Sequence, residues 1–147
     1  MRETVVVTEP RQPATALEEA VGRVGDRWSL LVVHALLDGP RRVNDLIEGL
    51  PGLAPNILTK RLRTLEQSGV LVAVPYSHRP PRFDYRLTAS GAELASALRL
   101  LAQWGRSSAG GEVVAHGACG TPLEARWFCP TCGRLVDDDD ADHLHYA

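Results

Sequence analysis

Apolar residues recur every three or four positions along the first half of the chain, a spacing that predicts short amphipathic helices. Asp26 precedes the most apolar of these segments, and its carboxylate is expected to cap that helix by accepting from free backbone N–H groups. Gly25, Gly39 and Gly52 interrupt the pattern. The spacing therefore predicts four helices, at residues 17–24, 27–37, 43–50 and about 55–67.

Two segments rich in β-branched and aromatic residues follow the four helices. Residues 70–76 and 82–87 are predicted strands, joined by a connection at residues 77–81. A last helix is expected at residues 89–104, with Thr88 as its N-cap. Helices followed by a hairpin in this order are typical of a winged helix-turn-helix, so the predicted fold class is mainly α with a small β-wing.

The composition of the chain predicts how it is divided. Its 147 residues suffice for one ordinary domain with a small appendage. Residues 1–13 show no periodicity and are expected to be a flexible arm, residues 14–104 form the winged-helix domain, and residues 105–111 are a Gly/Ser-rich linker. A cysteine-containing module at residues 112–136 and an acidic tail at residues 137–147 follow.

Charge is distributed unevenly along a chain whose formal net charge is only −2. Between residues 41 and 86, eight basic residues outnumber four acidic ones, which favours an anionic partner for this region. No apolar run is long enough to cross a bilayer, and the three-valine run near the N-terminus is too short for a signal peptide. We therefore expect a cytoplasmic protein without a membrane partner.

The fourth predicted helix has two distinct faces. At about 100° per residue, three leucines cluster on one side, and a polar cluster with cations and no acid lies opposite. Arg61 projects between the faces, where a phosphate or a neighbouring acid is its expected partner. Arg and Asn can bond guanine and adenine edges, whereas Thr can contact a thymine methyl group or a phosphate. The inner residues are Leu58, Leu62 and Leu65, and the outer ones are Asn56, Thr59, Lys60, Arg63 and Gln67.

The polar face could instead be ordinary solvated surface, and the wing arginines could serve only solubility. A basic wing directly after a basic helix favours double-stranded DNA as the partner. Arg79, next to the prolines of the wing, could enter a minor groove. The predicted DNA-binding residues are Arg41, Arg42, Asn56, Thr59, Lys60, Arg63, Arg79 and Arg82.

All three cysteines lie between residues 119 and 132, in two short motifs, His-x-x-Cys-Gly and Cys-x-x-Cys-Gly. Two ligands separated by two residues can chelate one ion, so two such motifs predict a zinc-ribbon-like site of structural type. A Cys129–Cys132 disulfide, a fourth ligand from His143 or His145, and the absence of metal are alternatives. The expected zinc ligands are His116, Cys119, Cys129 and Cys132.

Four ordered segments of the chain resemble the HxlR-type family of bacterial winged-helix transcription regulators: residues 24–31 (VGDRWSLL), 37–46 (LDGPRRVNDL), 50–62 (LPGLAPNILTKRL) and 85–91 (YRLTASG). The resemblance implies a homodimer that binds an inverted-repeat operator, as a repressor or an activator. Many members carry a cysteine ahead of the first helix, which this chain lacks, so the redox role of that position is not carried over. The dimer contacts that the resemblance implies are Leu17, Val21, Leu94, Leu98, Leu101 and Trp104.

The predicted function is a non-enzymatic DNA-binding regulator, most simply a repressor. A small zinc or thiol-based redox protein acting through the cysteine module, or a metal- or redox-responsive regulator, is the alternative from another class. No general base stands near the cysteines in sequence, and four ligands leave zinc no open position for catalysis. A winged helix that mediates protein contacts is a third alternative. The dimer interface could also hold a small-molecule effector, although no polar constellation identifies a ligand.

Overall fold

A computed structural model describes residues 15–110 and 113–136. The predicted arm (residues 1–13), the acidic tail (residues 137–147, with His143 and His145) and residues 111–112 lie outside the described part. The winged helix-turn-helix order is confirmed. Its elements are α1 (Ala16–Val24), α2 (Arg27–Leu36), β1 (Arg41–Arg42), α3 (Val43–Gly49), α4 (Pro55–Gln67), β2 (Leu71–His78), β3 (Pro81–Leu87) and α5 (Ala89–Ala109), followed by a hairpin of β4 (Trp127–Cys129) and β5 (Arg134–Val136).

Side-chain caps explain where three helices begin. The Asp26 carboxylate accepts from the backbone N–H groups of Trp28 and Ser29, both at 3.1 Å, as the sequence predicts. Thr15 and Glu18 form a reciprocal capping box at the start of α1. The Thr88 hydroxyl accepts from Gly91 N–H at 3.1 Å and donates to the Gly69 carbonyl at 2.6 Å, so it also ties α5 to the turn before β2.

The core lies between α2, α3, α4 and the first residues of the wing. Its members are aliphatic side chains that are nearly or fully shielded from solvent, which removes apolar area from water and stabilises the fold. Leu53 joins them from the turn between α3 and α4. The most completely buried are Val32, Val33, Leu46, Leu58, Leu65, Val70 and Leu71.

The wing is a three-stranded antiparallel sheet in the order β1-β3-β2. β2 and β3 pair from Leu71 with Leu87 to His78 with Pro81, with an irregularity between Pro75 and Ser77. The connection at residues 77–81 is therefore shorter than predicted, because Ser77, His78 and Pro81 belong to the strands. Strand β1, in which Arg41 pairs with Tyr85 and Arg42 with Asp84, was not predicted from the sequence.

Helix α5 continues to Ala109, so its predicted end at residue 104 is wrong by five residues. Residues 105–109 of the predicted linker are helical, because one glycine and two serines in a helix lower its stability without terminating it. The helix begins tightly against the wing. A Cβ atom on Gly91 would overlap the carbonyl oxygen of Val70, so only glycine fits at this position.

The chain divides into two compact units, with the boundary between Ala95 and Ser96. The first holds the winged helix up to the first turns of α5, and the second holds the rest of α5 and the β4–β5 hairpin. In the part of the chain that the structure describes, no helix is both long enough and apolar enough to cross a membrane.

Candidate nucleic-acid interface

Helix α4 is held by its leucines and presents a polar face to solvent. Leu58, Leu62 and Leu65 are at most 3% exposed, which fixes the rotation of the helix about its axis. The opposite side is exposed at all four positions predicted to contact DNA, Asn56, Thr59, Lys60 and Arg63. Since the inner face is packed, these side chains project from a rigid backbone.

The turn that orients α4 depends on one glycine and one buried leucine. Gly52 adopts φ +88°, a conformation that other residues rarely adopt. Leu53 is 4% exposed and its N–H donates to the Leu50 carbonyl at 3.1 Å. Pro55 at the first helical position leaves no N–H to satisfy there. The predicted turn between the third and fourth helices is thus confirmed.

Acidic groups near α4 are engaged within the protein. Glu66 stands at the edge of the polar face, and its carboxylate accepts from the Ala73 N–H of β2 at 3.3 Å. Arg61 forms an ion pair with Asp26, at 3.1 Å between Nε and Oδ1, which confirms the acid partner expected for it. Partial burial raises the pKa of Asp26, but hydrogen bonds from Ser29 and the charge of Arg61 outweigh it and hold that pKa below the ordinary value.

Arg41 and Arg42 differ in how strongly their side chains are held by partners within the protein. Arg41 is exposed and lies 4.0 Å from Asp38, an exposed pair that contributes little and that a phosphate can replace. Arg42 pairs with Asp84 at 3.5 Å and its guanidinium stacks 4.4 Å from the centre of the Tyr76 ring. The structure therefore gives Arg42 a structural role at the base of the wing, in addition to its predicted DNA contact.

The wing arginines are exposed, as their predicted contacts require. Arg79 occupies the two-residue turn between β2 and β3, and Arg82 lies one residue into β3. Arg82 also lines an open groove of about 550 Å³ with Arg42, Asn44, Tyr76 and Phe83. Arg42 and Arg82 thus share one groove between α3 and the wing, whereas Arg79 stands at the tip.

Tyr85 lies in β3 where the wing meets α3 and α4. Burial, and after it the nearby Glu66 carboxylate, raises the pKa of its phenol above the ordinary tyrosine value. Tyr85 lines the same groove as Arg82. Sequence reasoning missed Tyr76 and Asp84, because their partner Arg42 lies more than thirty residues away along the chain. It also missed Tyr85, whose neighbour Glu66 belongs to another element, and no local spacing marks any of the three.

The residues expected at a dimer interface are not equally accessible. On α1, Leu17 and Val21 are exposed. On α5, Trp104 is 75% and Leu101 49% exposed, Leu94 is half-buried, and Leu98 is only 7% exposed. Leu98 is thus shielded within the single chain, and its contact in a dimer stays a prediction.

The predicted zinc ligands occur as two pairs. His116 Nδ1 and Cys119 Sγ lie 3.3 Å apart, and Cys129 Sγ accepts from the Cys132 N–H at 3.4 Å. Hydrogen bonding with Thr121 first, and then with His116, lowers the pKa of the Cys119 thiol, and bonds from Cys132 and Thr131 lower that of Cys129. Within the described residues, no group of three or more His, Cys, Asp or Glu side chains surrounds a single point.

Two bacterial regulators are similar to this chain in sequence. An uncharacterised HTH-type transcriptional regulator of Mycobacterium tuberculosis is 38% identical over 127 residues, which are 80% of this chain and 80% of the relative. The HTH-type transcriptional regulator YodB of Bacillus subtilis is 31% identical over 88 residues, 60% of this chain and 79% of the relative.

Two solved structures are similar over much of the chain. PA1607, a proposed transcription factor, is 30% identical with a TM-score of 0.75, and the match covers 88% of this chain and 93% of that one. The redox regulator HypR in its reduced form is 27% identical with a TM-score of 0.61, over 65% of this chain and 94% of that one. A family model described as HxlR-like helix-turn-helix matches residues 23–112, more than half of the chain. The chain therefore belongs to the HxlR-like helix-turn-helix family of transcriptional regulators.

Proposed function

We propose that this regulator is a repressor that binds an inverted-repeat DNA operator as a homodimer, with α4 in the major groove and the wing beside it. One observation carries the proposal. Asn56, Lys60 and Arg63 are all exposed on the side of α4 opposite its buried leucines. In helix-turn-helix proteins the second helix of the motif enters the major groove, and α4 holds that position after α3.

Each exposed side chain has a specific task in this arrangement. Arg63 can donate two parallel hydrogen bonds to guanine, and Asn56 can bond adenine in the same way. Lys60 and Arg79 are suited to phosphates or to a narrow minor groove, contacts that position the protein without reading sequence. Thr59 already donates its hydroxyl to the Pro55 carbonyl at 2.9 Å, so its methyl group is the part best placed for a thymine.

The homodimer is supported by apolar residues that the single chain leaves in water. Leu17 and Val21 on α1 are more than half exposed, as is Trp104 on α5, and exposed apolar surface of this kind favours association. A symmetric dimer presents two copies of α4 related by a two-fold axis. Its operator then has two half-sites with the same symmetry, which is an inverted repeat.

The experiment begins by selecting duplex sequences from a random library with the full chain. The recovered sites should contain an inverted repeat, and sedimentation should give twice the 16.0 kDa chain mass at binding concentrations. Arg63→Ala should lose about 1–3 kcal/mol of operator affinity and relax the preference at one base pair in each half-site. Arg99→Ala, an exposed arginine on α5, is the matched control and should bind as the parent does.

The proposal has two separable parts. Selected sites without internal symmetry, or a monomer that binds with full affinity, would contradict the proposed homodimer and its inverted-repeat operator. Equal operator affinity of the Arg63→Ala variant and the parent would contradict the proposal that α4 contacts the bases. Repression is tested with the operator placed upstream of a reporter gene, where loss of the regulator should raise expression.

A further inference from the structure

Two turns in the last part of the chain repeat one sequence pattern and one backbone conformation. Each has a potential ligand, two spacer residues, a cysteine and a glycine, at residues 116–120 and 129–133. Gly120 and Gly133 adopt φ +70° and +64°. Gly120 N–H donates to the His116 carbonyl at 2.7 Å, and Gly133 N–H donates to the Cys129 carbonyl at 2.9 Å.

Both turns are framed by antiparallel pairing. The bridge between Ala115 and Pro122 encloses the first turn, and the pairing of β4 with β5, which ends at Cys129 with Arg134, encloses the second. Two hairpins that each place a Cys-Gly step at the same position of the turn are the construction of a zinc ribbon. A single Cys-x-x-Cys pair would not distinguish a metal site from a redox pair, whereas the repeated turn does favour metal.

The two side chains of the first turn have a spacing that suits a shared ion, and the second turn offers a backbone donor to its first cysteine. Two ligands of one tetrahedral zinc, at about 2.3 Å for sulfur and about 2.0 Å for nitrogen, lie roughly 3.5 Å from each other. His116 Nδ1 and Cys119 Sγ are 3.3 Å apart. The Cys132 N–H points at Cys129 Sγ, and backbone N–H donors of this kind support a ligating thiolate.

This segment has no core of its own to hold the hairpins. Among the described residues from 113 to 136, none is buried, and Trp127 and Phe128 are 59% and 60% exposed. A small module without a core needs a disulfide, a metal or a partner to fold stably. The structure joins none of the three cysteines in a disulfide, which leaves their side chains available to a metal.

We propose that His116, Cys119, Cys129 and Cys132 bind one zinc ion that joins the two turns. The three cysteines bind as thiolates, each releasing its proton to solvent, and His116 binds as neutral imidazole. Within the described residues the two pairs do not surround one point, so binding of a single ion requires the two turns to come together. Four protein ligands complete the tetrahedron, so the ion is structural.

The test uses the full chain purified under reducing conditions without chelator. Elemental analysis should give one zinc ion per chain, and Co²⁺ in its place should show tetrahedral ligand-field bands with thiolate charge-transfer absorption. The variants C119S, C129S and C132S should each lose the metal and weaken the charge-transfer absorption. His116→Ala should lose the metal as well, whereas His34→Ala, an exposed histidine on α2, should retain it.

Four results would overturn the proposal. One is a chain that holds neither zinc nor cobalt with its thiols reduced. Another is a Cys129–Cys132 disulfide in the protein freshly isolated from cells, which would indicate thiol chemistry instead. Full metal content in the C119S or His116→Ala variant would remove the first turn from the site. One metal per two chains would assign the ion to an interchain contact.

Discussion

At the residue scale, Asp26 connects two elements of the DNA-binding unit. Its carboxylate caps α2 through two backbone N–H groups and pairs with Arg61 of α4. Asp26→Ala should therefore lower the free energy of unfolding by about 0.5–2 kcal/mol at neutral pH. Urea titration measures this loss. Asp38→Ala, whose side chain is 80% exposed, is the control and should change stability by less than about 0.5 kcal/mol.

The effect of Asp26 should also depend on pH. Its pKa is lower in the folded chain than in the unfolded chain, because hydrogen bonds from Ser29 and the Arg61 charge outweigh the opposing effect of burial. The stability that it contributes is thus present at neutral pH and is lost as pH falls below the ordinary Asp value of about 4. The difference in free energy of unfolding between the parent and Asp26→Ala should therefore become smaller in acid. A difference that stays constant from neutral pH to strong acid would contradict this interpretation.

At the element scale, the wing and α4 should affect DNA binding in different ways. Arg79 is exposed at the wing tip, where we expect it to contact the DNA backbone or respond to groove shape and to contact no base edge. Arg79→Ala should weaken binding to all duplexes by a similar factor and reduce the salt dependence by roughly one counterion. Fluorescence anisotropy on operator and unrelated DNA, at several salt concentrations, measures both. A loss confined to the operator would instead make Arg79 a sequence reader.

Two glycines of α5 allow a matched test of how this helix is built. Gly91→Ala places a methyl group against the Val70 carbonyl and should cost about 1–3 kcal/mol in free energy of unfolding. Among the described residues, the methyl group that Gly105→Ala adds meets no atom within 4 Å beyond its chain neighbours and its own helix backbone. This substitution should stabilise the chain by about 0.5–1 kcal/mol, since alanine is the better helix former. Thermal unfolding measures the stability of both variants against that of the parent chain. No gain at Gly105 would indicate that residues 105–109 are not helical in solution.

At the scale of the whole molecule, the proposed zinc site and the DNA-binding unit should be energetically separable. The proposed ligands all lie beyond Ala95, and the proposed DNA contacts all lie before it. Chelation should therefore raise amide hydrogen exchange in residues 113–136, with little change in residues 15–95 and in operator affinity. C132S should show the same exchange pattern without chelator. A marked fall in affinity on metal removal would mean that the metal regulates DNA binding.

The sequence alone determined the parts of this protein that depend on neighbours along the chain. Asp26 and Thr88 were found as caps because a cap bonds N–H groups two or three residues away. The faces of α4 were predicted because helical spacing sorts leucines from polar residues within thirteen positions. The family followed from the same local segments.

Only the tertiary structure decided the features that join distant residues. The two-residue strand β1 exists because β3 offers a free edge to Arg41 and Arg42, and two residues have no periodicity to detect. The engagement of Arg42 by Tyr76 and Asp84 depends on that pairing. The burial of Leu98 and the exposure of Trp104 likewise depend on what packs beside α5, since helical spacing shows which residues share a face but not which face is covered.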